Sequence, residues 1–169
     1  MAKSERHLTL MRHGKAARGL EGIEEFDRPL TARGVTDALL ISETLKERLP
    51  PVDLCLVSSA RRARITGEIL AGILGLPSGS ILLEDRIYMA EPEQLLYRLQ
   101  ELPSQISHVL LVGHNPGVQE AASLLAQTDL DPFPTSGVAT FRVYADQWSG
   151  LKAETALFEE LLTPKSVGR

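Results

Sequence analysis

Short apolar runs and amphipathic stretches take turns along this chain. Residues 7–12 (HLTLMR) are β-prone and stop at Gly14. A helical pattern opens after Thr31, which is placed as its N-cap, with Val35, Ala38, Leu39, Leu45 and Leu49 at roughly helical spacing. Pro50 and Pro51 end it. Residues 52–57 read as a second strand. Residues 60–74 read as a second helix, with Ile65, Ile69 and Ile73 on one face and Gly75 as its stop. Residues 81–83 read as a short strand. Pro92 suits the first turn of a helix reaching about Leu102. Residues 108–112 are almost all apolar, as at the centre of a parallel sheet. Residues 115–126 read as a helix with Asn115 as cap and Pro116 at its first position, and residues 138–143 as a strand. Residues 153–162 suit either a helix or an edge strand.

The alternation predicts an α/β fold, a three-layer α/β/α sandwich around a mostly parallel sheet. The 169 residues fit a single domain, 1–169, with no repeat and no linker. The formal net charge of −4 excludes a chain that binds nucleic acid or an anionic membrane by its overall charge. No run approaches a membrane span and no signal peptide is read at the start, so a cytoplasmic location is expected. The one cysteine, Cys55, lies in an apolar run. It reads as a buried thiol, and it excludes an internal disulfide or a cysteine-based zinc cage.

Three strand ends carry the candidate chemistry. The first ends in Arg12, His13 and Gly14, the second in Ser58, Ser59, Ala60, Arg61 and Arg62, and the apolar fourth in Gly113, His114, Asn115 and Pro116. Ligands of open α/β sheets bind outside the carboxyl ends of the strands. Parallel neighbouring strands would therefore gather two imidazoles, at least two guanidiniums and helix N-termini in one place, which suits a small, highly charged anion such as phosphate. A neutral imidazole can attack phosphorus and carry the phosphoryl group. His13 is the better nucleophile, because Gly14 lets the backbone turn and approach the ligand. His114 is then the electrostatic partner of the transition state.

These residues resemble a known family. Leu10, Met11, Arg12, His13 and Gly14 are similar to the signature of the histidine phosphatase superfamily, whose fold is phosphoglycerate mutase-like. Asp27, Arg28, Pro29, Leu30, Thr31, Ala32, Arg33 and Gly34 resemble the helix-opening motif of its SixA-type phosphohistidine phosphatases. So do Ser58 with Arg62, Ala63 and Thr66, then Gly113 and His114, then Thr135 and Ser136. The resemblance spans about residues 7–164. It implies a catalytic core of Arg12, His13, Arg62 and His114, a covalent phosphohistidine on His13, and no metal or other cofactor. It picks Arg62 over Arg61, because Ala63 follows Arg62 and Thr66 lies four positions on. It also favours a strand at the C-terminal end.

The expected substrate is phosphohistidine on a protein such as a phosphotransfer domain. The alternatives are a small phosphate ester and, in another class, a module that binds phosphorylated partners without turnover. Arg12, Arg62, His114, Ser58 and Asn115 are the expected phosphate contacts. Larger superfamily members carry a carboxylate general acid on an inserted segment. Here Glu84, Asp85, Glu91 and Glu93 lie in the candidate region and no spacing selects among them. Phosphohistidine needs less help of this kind, because its P–N bond is weak and its imidazole leaving group is readily protonated. Lys15 stands where relatives often carry an acidic or small residue. Arg61 and Arg64 read as a solvated helix face, His7 and His108 as structural or exposed, and Tyr144 and Trp148 as edge packing.

Overall fold

A computed structural model describes residues 4–168 of the chain. Its elements run β1 (Glu5–Arg12), α1 (Ala32–Arg48), β2 (Leu54–Ser58), α2 (Arg61–Leu74), β3 (Ile81–Glu84), α3 (Pro92–Gln100), β4 (His108–Gly113), α4 (Gly117–Ala126), β5 (Val138–Tyr144) and β6 (Ala156–Leu162). They build a six-stranded sheet in the order β3-β2-β4-β1-β5-β6. The pairs β2 with β3, β2 with β4 and β1 with β4 are parallel, while β5 runs antiparallel to β1 and to β6. The fold is the expected α/β sandwich with a mostly parallel sheet.

Every side chain of β4 is buried, because strands flank it on both edges and helices cover both faces. The alternation along each strand sorts the core into two. Leu8, Leu10, Leu56, Val109, Leu111 and Phe141 face α3 and α4, where Leu95, Leu99, Ala121 and Leu125 meet them. Met11, Cys55, Val57, Leu110 and Val112 face α1 and α2, against Ile41, Leu45, Ala63 and Leu70. Truncating one of these buried leucines to alanine costs about 2–5 kcal/mol.

The helix signals act as their chemistry dictates. Thr31 Oγ1 accepts the Gly34 N–H at 2.9 Å and caps α1. Gly75 ends α2 at φ 69°, a left-handed position that suits glycine. Pro92 lies in the first turn of α3, behind a capping box of Glu91 and Gln94.

Several sequence expectations are corrected. Helix α4 begins at Gly117 rather than Asn115, with a cis Asn115-Pro116 bond ahead of it. The Asn115 side chain still serves this end, as its Oδ1 accepts the Gln119 N–H at 3.3 Å. The second helix begins at Arg61, after Ser58 has closed β2. The ambiguous C-terminal stretch is strand β6, because its exposed and half-buried positions complete the sheet beyond β5. Trp148 is fully buried rather than edge packing. Its Nε1 donates to the Ile106 carbonyl at 2.7 Å, and the Arg6 guanidinium lies 5.8 Å from its ring centre. Tyr144 is exposed, and His108 is structural: its ring nitrogens lie 2.9 Å from Thr9 Oγ1 and 3.1 Å from the Pro50 carbonyl. Cys55 is buried, which pushes its thiol up to about 12. Among the described residues, no helix is long and apolar enough to cross a membrane.

Candidate active site

Because β1 and β4 are parallel and in register, Arg12 lies opposite Gly113, so the next residues, His13 and His114, leave neighbouring strands side by side. Their ring centres are 5.0 Å apart. Both rings are almost fully buried, and the N-termini of α2 and α4 lie at this same end of the sheet.

His13 is oriented from below. Its Nδ1 lies 2.6 Å from the Gly14 carbonyl, which can only accept, so Nδ1 carries the hydrogen and Nε2 keeps a free lone pair. Arg62 Nε donates toward that Nε2 at 3.4 Å. Burial, reinforced by Arg62, Arg12 and Arg28 and opposed by the Gly14 hydrogen bond, lowers the His13 pKa from 6.5 to about 4. At neutral pH the imidazole is therefore uncharged, as attack on phosphorus requires.

His114 is held differently. Its Nε2 lies 2.7 Å from Ser58 Oγ. Burial, with His13, Arg62, Arg12 and Arg28 around it, lowers its pKa to about 3. Tyr88 meets the His114 ring edge-on at 5.4 Å and lies 6.0 Å from the Arg62 guanidinium, and Phe26 meets Tyr88 edge-on at 5.1 Å. Ser58, expected at the phosphate, is instead fully buried behind His114 and does not line the cleft.

Gly14 is needed for a reason other than the expected sharp turn. Its φ is not positive; a Cβ there would stand 3.0 Å from the Gly34 carbonyl. The loop after His13 is packed directly on the start of α1, and Gly34 returns the demand, since its own Cβ would meet the Lys15 carbonyl at 2.3 Å. Thr66 Oγ1 accepts the Gly14 N–H at 2.9 Å and donates to the Arg62 carbonyl at 2.7 Å, so one hydroxyl ties the loop after His13 to the helix that carries Arg62.

Arg12 NH1 donates to the Phe133 carbonyl at 3.1 Å, and Asn115 Nδ2 donates to the same oxygen at 2.9 Å. The other Asn115 amide hydrogen faces Gln119 Oε1 at 3.3 Å, so this side chain forms the cleft wall with both donors engaged. Arg62 NH1 donates to the Glu25 carbonyl at 2.7 Å, and the Glu25 carboxylate bridges Arg28 at 2.6 Å and Arg62 at 3.6 Å. Arg28 holds the Glu25 carboxyl below its ordinary pKa.

The resulting cleft has a volume of about 810 Å³. Among the described residues, Arg12, Lys15, Arg18, Arg28, Arg33 and Arg62 line it against two carboxylates, Glu25 and Asp37. Burial raises the Asp37 pKa, with Arg33 and Lys15 opposing. Among the described residues, Arg12 Nε, Arg28 Nε and His114 Nδ1 are buried without a hydrogen-bond partner. Buried donors are rarely left unpaired, and the two guanidinium Nε–H groups at this cleft suit an anion that accepts from them. Arg61 and Arg64 stay outside the cleft, as expected.

None of the four candidate acids reaches the cleft. Glu84 is paired with Arg98, Asp85 bonds Ser59, Glu91 caps α3, and Glu93 lines a separate hollow with Arg86 and Tyr97. Sequence reasoning did not single out Glu25 or Tyr88, which carry no periodic signal. Arg28 stood inside a quoted motif, but without a role.

The profile of the histidine phosphatase superfamily (branch 1) matches residues 8–84. Phosphohistidine phosphatase SixA of Escherichia coli K12 is 31% identical over 133 residues, which cover 78% of this chain and 81% of that protein. The SixA structure from Nakamurella multipartitia superposes with a TM-score of 0.83 at 26% identity, covering 97% of this chain and 99% of the other. The protein histidine phosphatase SixA complexed with tungstate gives a TM-score of 0.79 at 26% identity, covering 95% and 99%. The chain belongs to the histidine phosphatase superfamily and is a SixA-like phosphatase.

Proposed function

We propose that this protein, as one domain, hydrolyses phosphohistidine on a partner protein, with His13 as nucleophile. The observation that carries the reading is the fixed tautomer of His13, with Nδ1–H on the Gly14 carbonyl and Nε2 facing the Arg62 guanidinium. Nε2 attacks phosphorus, and the P–N bond to the substrate imidazole breaks. That imidazole leaves with the electron pair and takes a proton from solvent. Water then attacks the phosphoryl group on His13, releases phosphate and restores the imidazole. Arg12, Arg62 and His114 stabilise the equatorial oxygens in both steps. In this role His114 is the Nδ1–H tautomer: its Nε2 accepts from the Ser58 hydroxyl, and the Nδ1 hydrogen, buried without a protein partner, is left for a phosphoryl oxygen. The tungstate held by a SixA relative, an anion of phosphate's charge and shape, supports the same use of this cleft.

The carboxylates favour the P–N substrate. Glu25 is held ionised by Arg28 and is a poor donor to an alkoxide. One observation favours small esters instead: Asp37 lines the cleft with a raised pKa.

The test is phosphate release from a histidine-phosphorylated phosphotransfer domain, a phosphoserine peptide and a sugar phosphate, each with EDTA. His13→Ala and Asp37→Asn serve as controls. Release from phosphohistidine, lost in His13→Ala and kept in Asp37→Asn, is expected. Preference for the sugar phosphate, lost in Asp37→Asn, would reassign the substrate class.

A further inference from the structure

The cleft is larger and more basic than one phosphoryl group requires. Arg12, Arg62 and His114 suffice to hold the transferred group, yet Lys15, Arg18, Arg28 and Arg33 also face the space. A side hollow of about 440 Å³ adjoins it and shares Arg18, Glu25 and Arg28 as a common wall. Its far side is apolar: Leu20 and Ile23, at 45% and 42% exposure, line it. Two more exposed apolar side chains lie nearby: Phe26, next to Glu25 in the chain and packed on Tyr88, and Met89, which lines the cleft itself. Large apolar side chains held in water around a charged cleft mark a binding surface.

Met89 adds an independent sign. Its φ is 50°, a left-handed position that a long unbranched side chain rarely adopts, and half of its surface is exposed. The structure holds the residue under strain, while its side chain stands at the cleft edge, as happens at ligand clamps.

We infer that Leu20, Ile23, Phe26 and Met89, with the basic wall of Arg18 and Arg28, form a docking surface for the protein that carries the phosphohistidine. The face that docks displays the modified residue among carboxylates and apolar side chains. This rests on the phosphohistidine reading above and deepens it. Charge complementarity commits the occupant. The chain as a whole is at −4, while the cleft gathers six cations against two carboxylates, so the field draws in an anionic face and repels a basic one. A small phosphorylated molecule would leave the apolar rim uncovered.

The experiment compares two P–N probes, a histidine-phosphorylated phosphotransfer domain and phosphoramidate. Wild type is run beside a Leu20→Asp, Ile23→Asp double variant, whose side chains line the side hollow and not the cleft. For the protein probe, kcat/KM is expected to fall at least about tenfold through KM, the scale of lost interface anchors. Turnover of phosphoramidate should stay within about twofold, which also reports an intact fold. Added salt should slow the protein probe more steeply than phosphoramidate. Equal losses on both probes, or no loss on the protein probe, would overturn the docking surface alone. A wild type idle on both probes would overturn the phosphohistidine reading and this surface with it.

Discussion

The Nε of Arg62 lies 3.4 Å from the Nε2 of His13, so the guanidinium donates toward the atom that we propose as the nucleophile. Burial keeps a proton off Nε2, and the guanidinium adds to this, because a second positive charge beside it is disfavoured. When the phosphoryl group arrives, the same planar fork can turn its donors to the oxygens.

Arg62→Ala is therefore expected to lower kcat at least about a hundredfold, the scale of a lost transition-state donor. Arg62→Lys should recover only part of it, since a point charge cannot reproduce two parallel donors. Arg61→Ala, whose guanidinium lies outside the cleft and reaches the Asp27 carbonyl at 3.4 Å, should stay within about twofold. Steady-state kinetics on the three variants decides the assignment, and a large loss in Arg61→Ala would reverse it.

Thr66 supplies a hydroxyl to two partners in a fully buried position. Thr66→Val keeps the shape and strands the Gly14 N–H, at a cost of about 1–3 kcal/mol. Urea denaturation measures this, and kcat should fall with it because Gly14 supports the His13 ring. A variant as stable as wild type would mean that the Gly14 N–H finds another acceptor.

Gly34→Ala drives a methyl group into the Lys15 carbonyl, which is backbone and cannot step aside cheaply. A loss of about 1–3 kcal/mol is expected, with reduced kcat, because the displaced segment is the loop behind His13. Gly72→Ala, also in a helix but with nothing within 4 Å, should instead be neutral or stabilising by about 0.5–1 kcal/mol. Opposite signs in the two melting temperatures would carry the point; matching signs would refute it.

Three imidazoles link stability to pH. Burial takes His13 and His108 down to about 4 and His114 to about 3, from 6.5. Between pH 6.5 and 4 the unfolded chain holds these protons and the folded chain does not, so stability falls as pH drops through that window. Tm is expected to decline from pH 7 to pH 4. His114→Gln, which still offers Ser58 a partner, should shrink the decline; an unchanged slope would show that other groups set it.

Much of this was legible before the fold. The β/α alternation is written in apolar periodicity, and the pairing of His13 with His114 follows from two strand ends once those strands are parallel neighbours. Ser58 was seen but misplaced, because a hydroxyl at a strand end can face the ligand or the residue behind it, and only the packing of His114 decides. Trp148 was misjudged because the partners that bury it, Arg6 and Ile106, are distant in sequence and leave no local mark. Met89 and Tyr88 were missed because a short turn after β3 sets their direction.

The strand order has a consequence for how the chain is made. Strand β1 leaves the ribosome first, yet its neighbours are β4 and β5, the fourth and fifth strands to emerge. At usual rates of synthesis, roughly 5–20 s separate the appearance of β1 from that of β4. Throughout that interval the nascent polypeptide carries His13 at the end of an apolar ribbon whose sheet neighbours are not yet made. A ribosome stalled before His108 would display that ribbon as a sticky edge, and never an active enzyme.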